Sequence, residues 1–328
     1  MALDARFDCR PINPGQMRPY ANLHKAIMTA DEDSMVMSEE EILDDFADPL
    51  IDFERGSLAC YDGEEMVAYA VVTRGSTAEP VHDLHQWGGV EPRYRGQGIG
   101  SELISWAEEV AIRLHLEHFP DRPASLVSYV LSKNVQAIEL FAANGYEQSR
   151  WFHEMMRDLS AEIPACELPA DIEVLGFTPE RSADALLVRN ESFRDHWGST
   201  ETSPESWEFH TGIRAFRPAL SFLAYSGGEP IGLVMADEYD GYNERTGTRD
   251  VYIPRVGTRR AARRRGIATG LLAMTLRAAA AGGYDTATLS VDADSPTGAV
   301  GIYERLGFTT KDTRVAVKKS LYQPADAG

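Results

Sequence analysis

Hydrophobic and polar positions follow the same order in two halves of the chain. The segments SLACYDGEEMVAYAVV (Ser57 to Val72) and SFLAYSGGEPIGLVMA (Ser221 to Ala236) align without a gap. Each has an apolar run, a turn that contains glycine and a second apolar run, a pattern that predicts a β-hairpin. The chain therefore contains a repeat of domain size, which predicts matching elements in both copies.

A helix is predicted after each hairpin, because apolar or small positions there recur with helical spacing. These positions are Leu103, Ile104, Ala107, Val110, Ala111 and Leu114 in the first copy and Leu271, Leu272, Met274, Leu276 and Ala279 in the second. A β-rich run follows in each copy, SLVSYV or TATLSV, and then a second helix. That helix ends at a glycine and an aromatic residue, Gly145–Tyr146 or Gly307–Phe308, where a left-handed glycine fits just past a helix end.

The domain boundaries follow from the repeat and from one irregular segment. Asp158 to Asp171, with two prolines and no clear period, predicts a linker. We therefore expect two domains, residues 1–160 and 168–322, and a flexible tail at 323–328. A further helix is expected to begin at Ser38, where Glu41 completes a capping box.

Composition indicates a soluble globular protein, with 43% hydrophobic and 25% charged residues. No apolar stretch is long enough to span a membrane, and the amino terminus has no apolar core like that of a signal peptide. We therefore expect a cytoplasmic protein with no membrane partner. Cys9, Cys60 and Cys166 are widely spaced and form no CxxC motif. They are expected to be reduced thiols, with neither a disulfide framework nor a metal site.

The net charge of −19 excludes a general nucleic-acid binder, because phosphate contacts need a basic surface. The arginine run from Arg259 to Arg265 does not change that prediction in so acidic a chain. The charge is compatible with a cationic substrate. An acidic surface that keeps the protein soluble is the more common reason for such a charge.

Small residues cluster where each central helix begins. Both copies have an arginine, two residues, a glycine, one residue and a small residue, in RGQGIG (Arg95 to Gly100) and RRRGIA (Arg263 to Ala268). Such a turn presents free N–H groups at the positive end of the helix dipole, where an anion such as a pyrophosphate can bind. Neither copy has the lysine of a P-loop or the GxGxxG spacing of a dinucleotide-binding turn.

This order of elements resembles the GNAT superfamily of acetyl-CoA-dependent N-acetyltransferases. Both turns match the family's motif Gln/Arg-x-x-Gly-x-Gly/Ala. NVQAIELFAANGY from Asn134 and SPTGAVGIYERLGF from Ser295 are similar to its second signature. The resemblance covers nearly the whole chain. It implies an α/β (α+β) fold of two tandem GNAT-type domains, each with a mixed, mostly antiparallel sheet flanked by helices.

The resemblance also implies that acetyl-CoA is the acetyl donor. Its pyrophosphate would bind the backbone of the turns, and its pantetheine would follow the preceding strand ends. The residues so implied are Val90, Arg95, Gly96, Gln97, Gly98, Ile99, Gly100 and Asn134 in the first copy, and Val256, Thr258, Arg263, Arg264, Arg265, Gly266, Ile267 and Ala268 in the second.

The two copies differ at the position of the family's general acid. GNAT enzymes commonly place a tyrosine four residues before the Gly–aromatic pair, where it protonates the departing CoA thiolate. That position is Tyr303 in the second copy and Phe141 in the first. The sequence therefore predicts catalysis in the carboxy-terminal domain and cofactor binding alone in the amino-terminal one. The alternative is a non-catalytic acyl-CoA-binding or sensing protein.

The general base is less well defined. Where related enzymes often have a glutamate, the second copy has Tyr252. Asp250 is two residues earlier on the same strand face and is the predicted base. Asp237 and Glu238 are alternatives, acting directly or through water.

The first copy has Leu84 at the glutamate position, with His82 and His85 nearby. Histidines in such places more often have structural roles.

The predicted partner is a small-molecule or peptide amine, bound by a monomer or homodimer. FRDHWG (Phe193 to Gly198) falls where the resemblance places the acceptor wall. Small amines, aminoglycosides, cysteinyl conjugates and peptide amino termini all remain open as acceptors.

Overall fold

A computed structural model of the chain describes residues 6–194, 196–198, 200–295 and 298–324. The chain divides into two compact units of similar internal contact density. The first contains the described residues up to Arg150 and those from Arg314 onward. The second is Trp151–Thr313.

The strands, in chain order, are β1 (Asp8–Arg10), β2 (Ser57–Asp62), β3 (Glu65–Thr73), β4 (His82–Val90), β5 (Ala124–Leu131), β6 (Glu147–Asp158), β7 (Ile172–Gly176), β8 (Phe222–Ser226), β9 (Glu229–Asp237), β10 (Asp250–Thr258), β11 (Thr286–Asp292) and β12 (Thr309–Tyr322). The helices are α1 (Met17–Ala30), α2 (Glu39–Asp45), α3 (Phe53–Gly56), α4 (Ile99–His118), α5 (Val135–Ala143), α6 (Ser182–Phe193), α7 (Pro204–Gly212), α8 (Asp240–Thr246), α9 (Ile267–Ala281) and α10 (Ala299–Arg305).

Each unit is built on a mixed sheet. The strand order is β1-β2-β3-β4-β5-β12 in the first unit and β6-β11-β10-β9-β8-β7 in the second. Within the sheets β4 pairs with β5, and β10 with β11, in parallel, whereas the other recorded pairs are antiparallel. The predicted mostly antiparallel sheet flanked by helices is confirmed.

β6 follows the first copy of the repeat in the chain but lies in the sheet of the second unit. β12 follows the second copy but lies in the sheet of the first unit. From β6, residues 152–158 pair with β11. From β12, residues 314–322 pair with β5. The boundaries expected from the sequence, 1–160 and 168–322, differ from the two units at these segments. The apolar pattern of β6 or β12 does not specify which strand it pairs with. The reason is that β5 and β11 have equivalent positions in the repeat and present equivalent edges.

The central helices bury the faces that the sequence predicts. Residues Ile104, Ala107 and Leu114 of α4 belong to the core of the first unit, and Leu272 and Leu276 of α9 to that of the second. The capping box at the start of α2 is also confirmed. No helix in the described residues is long and apolar enough to cross a membrane.

The expectation that all three cysteines are reduced thiols is wrong for two of them. Cys9 and Cys60 are joined by a disulfide, with their Cα atoms 4.1 Å apart. They are direct partners in the register of β1 and β2, which brings the sulfurs together although 51 positions separate them in the chain. Cys166 is a free thiol. Of the expected tail, 325–328 lies outside the described residues.

Candidate functional site in the second unit

A cleft opens in the second unit where β10 and β11 separate. Their parallel pairing covers only Asp250–Tyr252 against Thr286–Thr288. The register of β10 with β9 shifts between Tyr252 and Arg255, which marks a β-bulge. Pro254 lies in this bulge and has no N–H to donate to a neighbouring strand. Beyond the bulge the two strands diverge.

The cleft has a volume of about 790 Å³. One wall is β10 with the glycine turn that follows it, and the other is formed by the ends of β11 and the helix α10. Aromatic side chains close one end, where Phe152 of β6 lies 6.0 Å from Trp197 between ring centroids. The segment predicted as the acceptor wall contributes Phe193, His196, Trp197 and Gly198 to the lining. Its Asp195 lies outside the described residues.

The two glycine turns have the same backbone conformation. Gly98 and Gly266 precede α4 and α9 with φ angles of 84° and 77°. Two residues earlier, Gly96 has a φ of 75° and Arg264 a φ of 63°. A left-handed conformation costs a non-glycine residue about 1 kcal/mol or more. The second turn therefore keeps its shape at the expense of strain at Arg264.

The first arginine of each turn bonds to other parts of its unit. Nε of Arg263 donates to the carbonyl oxygen of Thr258 (3.2 Å), and its Nη2 donates to that of Ser192 (3.1 Å). Nε of Arg95 donates to the carbonyl oxygen of Val90 (3.2 Å), and its Nη1 pairs with Asp31 (2.6 Å). These guanidinium groups hold the strand ends, and Arg263 also lines the cleft.

Two other arginines supply positive charge at the rim of the cleft. Arg264 and Arg305 line it, are exposed, and have neither an ion pair nor a hydrogen bond within the described part of the chain. Arg265 differs, because it pairs with Asp171 at 2.6 Å and does not line the cleft. Unpaired guanidinium groups beside a free helix terminus suit a phosphate ligand.

Two hydroxyl groups in the cleft wall lack partners. Oγ of Ser192 and Oγ1 of Thr258 are buried and make no hydrogen bond to any described residue. Gly257 allows this close packing of α6 on β10, since a Cβ there would lie 2.9 Å from Cβ of Ser192. An unsatisfied buried hydroxyl costs about 1–3 kcal/mol. Both groups are therefore positioned to bond a polar ligand.

Tyr303 of α10 is buried and lines the same cleft. Its ring packs edge-on against Phe308, with centroids 6.0 Å apart. Its hydroxyl has no hydrogen bond to the described residues. Burial raises the pKa of Tyr303 well above its usual range, so the phenol is protonated at neutral pH and can donate.

The predicted base Asp250 is not brought to the cleft. Its carboxylate accepts from the hydroxyls of Thr286 and Thr288, which joins the paired ends of β10 and β11. Burial raises its pKa and the threonine hydroxyls oppose that change. The geometry gives Asp250 a structural contact.

Glu238 is also fully engaged. Arg217 and Arg249 each pair with its carboxylate at 2.8 Å, and Tyr284 donates to it at 2.6 Å. Burial alone would raise the pKa of Glu238, but these bonds outweigh burial and lower the pKa to about 2. This carboxylate has little tendency to accept a proton near neutral pH.

Asp237 is the least engaged of the three carboxylates. It lies directly opposite Tyr252 in the register of β9 and β10, beside the bulge. Its recorded hydrogen bond is a long one, from the Tyr239 hydroxyl at 3.5 Å. Burial raises the pKa of Asp237 to about 6, against the opposing charge of Arg255. The sequence signal that favours it is its position at the end of the strand before the bulge.

In the first unit, side chains make contacts across the matching place. A Cβ on Gly100 would lie 2.8 Å from Leu140, so α5 packs directly on the start of α4. Gln86 of β4 donates to the Tyr146 hydroxyl at 2.9 Å, and Ser128 of β5 donates to the carbonyl oxygen of Gln86 at 3.1 Å. These contacts bridge the place where the two strands would separate.

The first unit also lacks the rim charges. Gly96 and Ala143 stand where the second unit has Arg264 and Arg305. Asn134, predicted to contact the cofactor, caps α5 by accepting from the N–H of Ala137. Of the other residues predicted for the first unit, Val90 ends β4, and the rest form the turn and the start of α4.

The two histidines considered for the first copy have structural contacts. His82 is buried, and its Nδ1 lies 2.9 Å from Nδ1 of His115. His85 stacks on Tyr129, with centroids 6.1 Å apart.

The sequence is similar to known acetyltransferases. A family model described as Acetyltransferase (GNAT) family matches residues 22–146 and 188–308. The mycothiol acetyltransferase of Streptomyces scabiei is 31% identical over 259 residues, which is 76% of this chain and 75% of that protein. That of Streptomyces bingchenggensis is 33% identical and covers 68% of each chain. The tandem arrangement predicts a likeness to mycothiol synthase, and these relatives confirm it.

Solved structures give the same result for the fold. A GCN5-related N-acetyltransferase from Sphaerobacter thermophilus covers 98% of both chains with 29% identity and a TM-score of 0.76. A tandem GNAT protein from the clavulanic acid biosynthesis pathway covers 98% of this chain, with 15% identity and a TM-score of 0.72. At that identity the second comparison concerns the fold alone.

Proposed function

Because the chain belongs to the acetyltransferase (GNAT) family, we propose that it transfers an acetyl group from acetyl-CoA to a primary amine. The reaction takes place in the cleft of the second unit by direct attack of the amine. The observation that carries this proposal is Tyr303, which lines the cleft and whose protonated hydroxyl has no hydrogen bond to the described residues. The first unit has Phe141 there, which has no proton to give.

The residues of the second cleft fit acetyl-CoA. The free N–H groups at the start of α9 suit its pyrophosphate. Arg264 and Arg305 add charge at the rim, and the unpartnered hydroxyls of Ser192 and Thr258 suit the amide and carbonyl groups of its pantetheine arm. When bound, acetyl-CoA supplies the thioester carbonyl that the amine attacks.

Tyr303 acts as the general acid. As the C–S bond breaks, its hydroxyl donates a proton to the departing sulfur, so that the thiol leaves instead of the thiolate. A positioned acid of this kind contributes about 10²–10⁴-fold to a rate. The buried ring packs edge-on against Phe308, which restricts its position.

A base is needed because an amine with a pKa near 10.4 is neutral in only about one molecule in a few thousand at pH 7. Asp237 fits this role better than Asp250, which the sequence favours. Its carboxylate is weakly bonded, its pKa is about 6, and it lies beside the bulge. Asp237, like Asp250, does not line the cleft, so it takes the amine proton through water. Asp250 accepts hydrogen bonds from Thr286 and Thr288 and so joins β10 to β11.

The acceptor belongs to the class of small-molecule amines in this proposal. Relatives named mycothiol acetyltransferase, at about 30% identity, support a small acceptor. Aromatic side chains at the closed end of the cleft supply an apolar surface for it.

The test measures thiol release from acetyl-CoA across a panel of primary amines, with mass spectrometry of the acetylated products. We expect equal amounts of free CoA and acetylated amine, and a loss of both in Tyr303→Phe. Calorimetry of CoA binding is the parallel control. Tight CoA binding with no product from any amine would favour the non-catalytic alternative, an acyl-CoA sensor.

A further inference from the structure

A group of basic side chains lies beside the cleft in the second unit. Arg189 comes from α6, His210 from α7 and Arg255 from β10; together they are called the basic cluster below. Arg189 lines the cleft itself. Arg255 and His210 do not line it, but Arg255 lies between Pro254 and Val256, which do.

Arg255 is half-buried and has no bonding partner. Its guanidinium carbon lies 5.7 Å from the ring centroid of Trp207. It makes no hydrogen bond or ion pair with any described residue. Asp237 is near enough to interact with it electrostatically, but the two form no ion pair within 4 Å. A guanidinium has five N–H donors, and burying them without acceptors is unfavourable.

Arg189 is only partly satisfied. Its Nη1 donates to the side-chain oxygen of Asn190 (2.9 Å) and to the carbonyl oxygen of Thr200. The guanidinium carbon lies 5.7 Å from the centroid of Phe193. No bond is recorded for its Nε or Nη2.

Positive charge within the cluster contributes to lowered pKa values at Arg189 and His210. Burial lowers the pKa of Arg189 to about 10, and the charge of Arg255 contributes, although Glu201 opposes it. Burial lowers the pKa of His210 to about 4, and both arginines contribute. Asp237 interacts electrostatically with Arg255, and Glu201 with Arg189, but within the described residues neither carboxylate forms an ion pair with these arginines.

We propose that the basic cluster is a subsite for a carboxylate carried by the amine acceptor. The acceptor is then an amino acid or a short conjugate with a free carboxylate, and Arg255 with Arg189 binds that group. A planar carboxylate can accept two parallel bonds from one guanidinium. This proposal adds detail to the proposed function. It rests on that function, because it assumes that an amine acceptor binds in the cleft. It also replaces the purely cationic acceptor with which the net charge is compatible.

The spacing of the base and the subsite suits a small molecule. Asp237 is paired with Tyr252 and Met235 with Arg255. Two residues along β9 correspond to roughly 7 Å. One short amino acid can thus place its amine near Asp237 and its carboxylate near Arg255.

The first experiment measures binding and needs no turnover. N-acetylglycine, which keeps the carboxylate, and N-acetylglycinamide, which lacks it, are titrated into the CoA-bound protein while the His210 ring resonances are followed by NMR. We expect N-acetylglycine to bind at least about tenfold more tightly, to raise the pKa of His210, and to lose this advantage in Arg255→Gln. Arg255→Lys should retain part of it. Arg245→Gln, a change at an exposed residue, is the matched control and should bind as the unchanged protein does.

Equal binding of the two probes, or an advantage that survives Arg255→Gln, would overturn the subsite. A second experiment compares α-amino acids with their amides as acceptors. Preference for the free acids, abolished by Arg255→Gln, supports the subsite. Carboxylate binding without acetylation of either class would leave the subsite in place and refute the proposed function instead. Acetylation that favours the amides would refute the subsite and leave the proposed function in place.

Discussion

Arg264 has a φ of 63°, and Gly96, at the same position of the other turn, has a φ of 75°. The second unit thus places a strained arginine where the first has an unstrained glycine. The strain is accompanied by an unpaired charge at the rim of the cleft. Strain that persists at a ligand site is a sign of function.

Arg264→Gly should therefore change stability and affinity in opposite directions. Without ligand, the variant should be about as stable as the original or more stable by up to about 1 kcal/mol, because the left-handed strain disappears. Its affinity for CoA should fall about tenfold, since one charge-assisted bond contributes about 1.5–3 kcal/mol. Denaturant unfolding and calorimetry measure the two effects. Arg265→Gly, which removes a charge paired with Asp171, is the control and should leave CoA affinity nearly unchanged.

Both turns should bind CoA, with unequal affinity. The two backbones match, so calorimetry should detect two sites per chain. The first site should be weaker by at least tenfold, because it lacks both rim arginines and Leu140 packs against Gly100. Gly266→Glu should abolish the tight site and Gly98→Glu the weak one. A tight site that only Gly98→Glu removes would reverse this assignment.

Asp237→Asn and Asp250→Asn separate the two candidate bases. A base with a pKa of about 6 must be ionised to act, so kcat/KM should fall as the pH drops below about 6. Asp237→Asn should lower kcat by about 10²–10⁴-fold and remove that acid limb. Asp250→Asn should keep the limb and mainly reduce stability. If Asp250→Asn alone removes the limb, Asp250 is the base after all.

How far the sequence specifies this molecule depends on the range of each interaction. The hairpins, the glycine turns and the central helices are local patterns, and the structure confirms them. β6 and β12 each pair in the unit of the other copy. The sequence does not predict this, because the strand edges with which they could pair are equivalent. The Cys9–Cys60 pair depends on β1, a strand of three residues with too little pattern to detect.

The candidate site divides in the same way. Tyr303 and Phe141 could be distinguished from the motif alone. The engagement of Asp250 by Thr286 and Thr288 required the fold, because those threonines lie on another strand. The closing of the first cleft by Leu140 likewise depends on the packing of two helices.

The buried pair His82 and His115 should make the protein sensitive to acid. Burial lowers the pKa of His82 to about 4, and the positive groups His115, His118 and Arg74 contribute. Near pH 6.5 and below, the unfolded chain binds protons that the folded chain excludes. The free energy of unfolding should therefore fall as the pH drops from about 6.5 to about 4, by roughly 1–3 kcal/mol.

The double variant His82→Phe, His115→Leu removes both polar partners and should flatten this part of the pH profile. Urea unfolding at a series of pH values measures it. An unchanged slope in the double variant would assign the acid sensitivity to other groups.

The most direct test of the account is kcat for acetyl transfer in Tyr303→Phe, measured with an amine from the panel under conditions where chemistry limits the rate. We expect kcat to fall about 10²–10⁴-fold while the calorimetric affinity for CoA is unchanged, because the phenyl ring still fills the space beside Phe308. Phe141→Tyr in the first unit is the matched control and should not raise the rate. An unchanged kcat in Tyr303→Phe would contradict the assignment of the acid, and of catalysis, to the cleft of the second unit.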